Sequence, residues 1–148
     1  MQLNWVEAGG GRIALSHRPR LRAIRHFQDQ GCNCLVTLLS EKEGAPEIGK
    51  LAVEAGLRWI WIPLASGNPP PKIPEQLREI LELLSQGASV LIHCSAGMHR
   101  TGMISLAILR KLGYSPEEAF QLISRMRVET HGALQQKHID WANSTVNQ

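Results

Sequence analysis

Residues 88–102 read ASVLIHCSAGMHRTG, and this stretch decides the fold. Ala88 to His93 is an apolar run of strand length, and from Thr101 to Leu112 the chain turns strongly apolar and helical. Small residues fill the short loop between them. A strand that feeds a helix through such a loop gathers backbone N–H groups and the positive end of the helix dipole around one point, which makes an anion site. Cysteines in comparable fields drop from a pKa of ~8.5 to ~3.5–7.5. Cys94, at the base of the loop, is therefore expected to be ionised at neutral pH and able to attack phosphorus.

The rest of the loop fits that reading. Arg100 is expected to close it and grip two phosphate oxygens with its planar fork, a geometry that lysine cannot reproduce. Gly97 allows the positive φ or close backbone approach that a tight cradle needs. Thr101 can donate a hydrogen bond to the Cys94 sulfur, and His93 can orient the loop through its backbone. Ser95, Ala96, Gly97, Met98, His99 and Arg100 then form the substrate-binding rim.

Outward from this centre, short apolar runs alternate with helical patterns, the signature of an α/β layered fold with a largely parallel sheet. Leu3 to Val6 and Arg12 to Leu15 flank three glycines as a hairpin. A helix is predicted from Pro19 to Gln30, stopping at Gly31. Cys32 to Leu39 reads as a buried strand, Pro46 to Ala55 as a helix closed by Gly56, and Leu57 to Ile62 as the next strand. Pro63 to Pro74 is a loop, dense in proline. Glu75 to Ser85 has apolar residues at helical spacing. Ser115-Pro116-Glu117-Glu118 is a capping box with proline at the first helical position, and a last helix is predicted from about Leu134 to Asn143. Cys32 and Cys34 are expected on one face of their strand, as core residues.

The 148 residues suit one domain spanning 1–148; 43% are hydrophobic and 20% charged, an ordinary globular balance. The net charge of +3 suits anionic substrates without the concentrated basic segments that bind nucleic acid non-specifically. Three cysteines argue against a disulfide framework. Residues 1–11 lack the apolar run of a signal peptide, and no stretch has the length of a membrane helix. The expectation is a cytoplasmic protein in a reducing setting, without a membrane span. The four tryptophans read as packing, and His17, His26, His131 and His138 have no ligand-set spacing.

HCSAGMHRTG matches the H-C-x-x-G-x-x-R-[ST]-G pattern of protein tyrosine and dual-specificity phosphatases at every fixed position. LNWVEAGGGRIALSHRPR, GCNCLVTLLSE, WIPLASGNPPP and GALQQKHIDW are similar to successive landmarks of the small atypical dual-specificity phosphatases. The resemblance implies the cysteine-phosphatase fold: a central, mostly parallel sheet of four to five strands flanked by helices, with a short N-terminal hairpin. It also implies a phosphomonoesterase that works through a phosphocysteine on a phosphorylated protein or small molecule, with no metal or organic cofactor. Gln135 falls where the family places a polar residue that positions the hydrolytic water.

One element departs from the family. These phosphatases carry an Asp about thirty residues before the cysteine to protonate the leaving oxygen; here the corresponding positions hold Leu64, Ala65 and Ser66. Either another residue supplies the proton, with His99 first and Glu41 or Glu43 next, or the enzyme prefers aryl oxygens and other leaving groups that hardly need one. Three further readings stay open. One is a non-protein substrate such as a phosphoinositide, a nucleotide or an RNA 5′-phosphate. The others are a catalytically weak phosphate-binding module and, last, a sulfurtransferase or arsenate reductase.

Overall fold

In a computed structural model, which describes residues 1–147, five strands form one sheet in the order β1-β2-β5-β3-β4. These are β1 (Val6–Ala8), β2 (Gly11–Ser16), β3 (Cys34–Thr37), β4 (Arg58–Trp61) and β5 (Ser89–His93). β1 and β2 form the antiparallel hairpin, and all other pairs are parallel. β5 is central, buried along its whole length, with β2 on one side and β3 on the other. Burial on both faces explains why its sequence is a continuous apolar run rather than an alternating one.

The helices cover both faces: α1 (Ala45–Glu54), α2 (Gln76–Ser85), α3 (His99–Lys111), α4 (Pro116–Met126), α5 (Val128–Gly132) and α6 (Gln136–Ser144). One apolar layer joins β5 residues Val90 and Ile92 to α2, α3 and α4; the other joins Leu91 and Leu35 to α1 and to Ile24 and Phe27. α3 buries Met103, Ile104, Leu106, Ala107, Ile108 and Leu109. At ~1.5–3 kcal/mol for each large side chain withdrawn from water, this anchors the helix that follows the loop.

Most predicted elements are present with shifted bounds. Residues 19–30 differ: in place of a continuous α-helix there are two 3₁₀ segments, Leu21–His26 and Gln28–Gln30. In that tighter coil, side chains three apart eclipse, so Ile24 and Phe27 both reach the core. β3 is half the predicted length, beginning at Cys34. Cys32 lies before it and packs in the α1 layer while Cys34 packs in the other, so the two cysteines occupy opposite faces rather than one. Burial raises their thiols to about 11 and about 12, so neither ionises at neutral pH. Among the described residues no helix is long and apolar enough to cross a membrane.

Candidate active site

The loop from Cys94 to Met98 leaves the carboxyl end of β5 and enters α3, with Met98 as N-cap. Its carbonyls are turned outward and bonded: Cys94 O lies 3.1 Å from His93 Nδ1, Ser95 O accepts from Arg18 N–H at 2.8 Å, and Gly97 O accepts from Arg127 Nη1 at 2.9 Å and from the Thr130 hydroxyl. Ala96 O also accepts from Arg127, at 3.3 Å. In a trans peptide the N–H opposes the C=O. The amides of Ser95, Ala96, Gly97 and Met98 therefore face the interior of the loop, together with the N-terminus of α3.

Gly97 is required at its position. Its φ is +70°, and a Cβ there would come within 2.6 Å of the Ser16 carbonyl carbon. The end of β2 thus presses directly on the cradle.

Cys94 is buried at the base of the loop, and the Thr101 hydroxyl donates to its sulfur at 3.0 Å. Behind it runs a chain of hydrogen bonds. Because Cys94 O can only accept, His93 Nδ1 carries the ring proton, and Nε2 accepts from the Thr37 hydroxyl at 2.8 Å. Thr37 in turn accepts from Trp59 Nε1 at 2.9 Å. Burial lowers the His93 pKa to about 4, which keeps the ring in this neutral form.

Arg100, on the first turn of α3, makes two parallel bonds to Glu43, Nη1 to Oε1 at 2.7 Å and Nη2 to Oε2 at 3.0 Å. Nη1 also donates to Leu64 O at 2.8 Å. Glu43 first, and then the nearby Cys94, favour the charged guanidinium and raise its pKa. Glu43 belongs to a 3₁₀ turn, Glu41–Glu43, whose capping box with Ser40 fixes the carboxylate. Arg100 lowers the Glu43 pKa to about 2. That overturns Glu43 as a proton source: it is an anion committed to the guanidinium.

The structure brings His93, Cys94, Ser95, Ala96, Gly97, Met98, Arg100 and Thr101 together around one point. His99 is exposed at the start of α3, with its Cβ against Gly67 of the proline-rich loop. Gln135 is the N-cap of α6, and Leu134 beside it packs against Gly102 of α3. In the loop that lacks the Asp, Leu64 points into the core while Ala65 and Ser66 are exposed. Sequence reasoning missed Arg18, Thr37, Trp59, Arg127, Thr130 and His138, which lie on five other segments and carry no local motif. Among the described residues no group of three or more His, Cys, Asp or Glu side chains is arranged to hold a metal ion.

Comparison with known proteins bears on the family and the fold. The human tyrosine-protein phosphatase non-receptor type 12 is 36% identical over 83 residues, 47% of this chain and 11% of that protein. Human dual specificity protein phosphatase 9 is 38% identical over 55 residues, 36% of this chain and 14% of that protein. The chain thus matches only a small part of the length of either relative. Kinase associated phosphatase superposes with a TM-score of 0.80 at 19% identity, over 99% of this chain and 94% of that one. Tk-PTP in its active form gives 0.73 at 24% identity, over 100% and 99%, and PTPMT1 gives 0.74 at 21%, over 91% and 89%. These likenesses establish the shared fold. The sequence pattern of the tyrosine phosphatase family matches residues 42–138, more than half of the chain, and the protein belongs to that family.

Proposed function

We propose that this protein is a cysteine-dependent phosphomonoesterase that prefers aryl phosphates, phosphotyrosine among them. The observation that carries the reading is the Cys94 sulfur at the base of the inward-facing loop amides, bonded by the Thr101 hydroxyl, with Arg100 held by Glu43 on the first turn of the helix that follows. In the first step the Cys94 thiolate attacks phosphorus, the S–P bond forms, and the P–O bond breaks with its electron pair leaving on the substrate oxygen. In the second step water attacks the phosphocysteine, the S–P bond breaks, inorganic phosphate departs and the thiolate returns. Arg100 and the amides stabilise the charge on the equatorial oxygens in both steps, while Thr101 eases departure of the sulfur.

The leaving-group preference follows from the missing acid. General acid catalysis is worth ~10²–10⁴-fold, and residues 63–74 contain no Asp or Glu. His99, exposed beside that loop, is the proton donor this reading assigns where one is needed; Gln135 positions the water. The reducing interior of the cell suits an unpaired catalytic thiol, so the cytoplasm is the proposed setting.

A second reading concerns the substrate. A depression of about 480 Å³ beside the loop is lined by His17, Arg20 and Arg127, with Glu129 paired to Arg127 at 3.4 Å, so Arg20 is the cation there that could meet a second anionic group of a substrate, peptide or not. The decisive experiment is phosphate release from an aryl phosphate between pH 5 and 8 by the wild type and Cys94→Ser. Loss of all release in the variant supports the phosphocysteine route; a wild type that binds phosphate analogues but releases nothing makes the protein a phosphate-binding module.

A further inference from the structure

His138 sits on the first turn of α6 and is fully buried, with both ring nitrogens engaged. The backbone N–H of Gln135 donates to Nδ1 at 3.1 Å, so the ring proton is on Nε2, which donates to Gly67 O at 2.8 Å. Burial holds its pKa below the usual histidine value, against the opposing bond to Gly67 and with smaller help from the neighbouring His99 and Lys137, and favours this neutral form. Lys137 reinforces the same junction, donating to Asn68 Oδ1 at 2.8 Å. Gly67 lies so close to the cradle that a Cβ there would come within 2.6 Å of the His99 Cβ. Three residues earlier, Leu64 O is held by Arg100.

One imidazole therefore fastens the start of α6 to the 64–68 loop. The 64–68 loop stands where the family puts its proton donor, on the leaving-group side. Gln135 stands at the position read as orienting the hydrolytic water. We propose that His138 is a positioning residue that sets both half-reactions: through Gly67 it fixes the wall facing the leaving group, and through Gln135 it fixes the water. The inference rests on the phosphocysteine route proposed above.

The two bonds can be cut separately. Asparagine places a carbonyl oxygen near the Nδ1 position and keeps the Gln135 bond; glutamine places an amide N–H near the Nε2 position and keeps the Gly67 bond. The 148-residue chain is mixed with p-nitrophenyl phosphate labelled with ³²P, denatured during turnover, and the labelled fraction of enzyme is measured. His138→Asn slows formation of the phosphoenzyme and lowers that fraction. His138→Gln slows its breakdown and raises it. Displacing a reacting group by about 1 Å can cost ~10²-fold, so a change of about tenfold in the affected step is expected. If both variants, with unchanged melting temperatures, move the fraction in the same direction or not at all, the inference is wrong. Should the variants fail to fold, Asn68→Ala cuts the exposed part of the same junction: a lowered fraction supports the inference and an unchanged one overturns it. A wild type without label that depends on Cys94 sinks the phosphocysteine route itself, and the inference with it. Labelled wild type with unresponsive variants sinks the inference alone.

Discussion

Arg100 and Glu43 are joined through two parallel hydrogen bonds, 2.7 and 3.0 Å long, and the same guanidinium also donates to Leu64 O at 2.8 Å. The carboxylate thus holds the guanidinium in one place before any phosphate arrives, which lowers the ordering cost of binding. Glu43→Gln keeps the shape but removes the charge. A fall in kcat/KM for an aryl phosphate of about tenfold or more is expected, within the ~10²-fold scale of a misplaced group. Kinetics at saturating and limiting substrate check it; unchanged kcat/KM would show that Arg100 is held by other means.

Thr37 links the nucleophile strand to Trp59 on β4. Thr37→Val deletes the hydroxyl at nearly constant volume and leaves His93 Nε2 and the Trp59 N–H without their partner. The stability cost is ~1–3 kcal/mol for such unsatisfied groups. Slower alkylation of Cys94 by iodoacetate near pH 6 is expected, with Thr37→Ser restoring the wild-type rate. A Val variant that reacts like the wild type would confine Thr37 to a structural role.

Stability should fall with acid in two stages. His93 titrates at about 4 when folded against ~6.5 when unfolded. Because the unfolded chain takes up the proton first, stability is complete above that unfolded value and is lost between it and about pH 4. His138 is shifted in the same direction and adds to this stage. Glu43 is shifted from 4.5 to about 2, so its contribution is lost below pH 4.5. Urea melts from pH 7 to 3 check the order: Glu43→Gln should shrink the lower stage, to which Glu118 also adds through its bonds to Ser115, and leave the upper one intact.

Gly97→Ala must enter a left-handed conformation, costing ~1–2 kcal/mol, and pushes against the Ser16 backbone. Because the clash falls in the loop that forms the cradle, the damage should fall on activity. A loss of at least about 10²-fold in kcat/KM with only a small fall in melting temperature is expected, the scale of one lost oxyanion donor.

A series of aryl and alkyl phosphates tests the proton question. Steep dependence of kcat/KM on leaving-group acidity is expected in the wild type. His99→Ala should affect the alkyl substrates most; equal rates across the series for the two proteins would remove His99 from the reaction.

The centre of the site was legible because it is local. Cys94, Gly97, Arg100 and Thr101 lie within eight consecutive residues, and their spacing alone specifies a strand, a cradle and a helix. The capping box at Ser115 and Glu118 was equally local, and the structure contains it. The supports were not legible. Arg18, Arg127 and Thr130 act on loop carbonyls through contacts that span many residues of sequence. Glu43 read as a candidate acid because its partner lies 57 positions away. Residues 21–30 misled for another reason: their apolar spacing fits an α-helix and a 3₁₀ coil alike, and only packing against the sheet decides between them.

The strand at the middle of the sheet is also the last one made. When β2, β3 and β4 have all been synthesised they share no pairing surface except β3 with β4, because β5 is the piece that joins the two halves. Arg12 must wait for Ser89, and Cys34 for Val90. Such long-range closure is slow, and until it happens the cradle does not exist. The hydrogen bond from Thr101 to the Cys94 sulfur and the ring of loop amides around it are therefore assembled in the same event that completes the fold, and no partly made chain carries them.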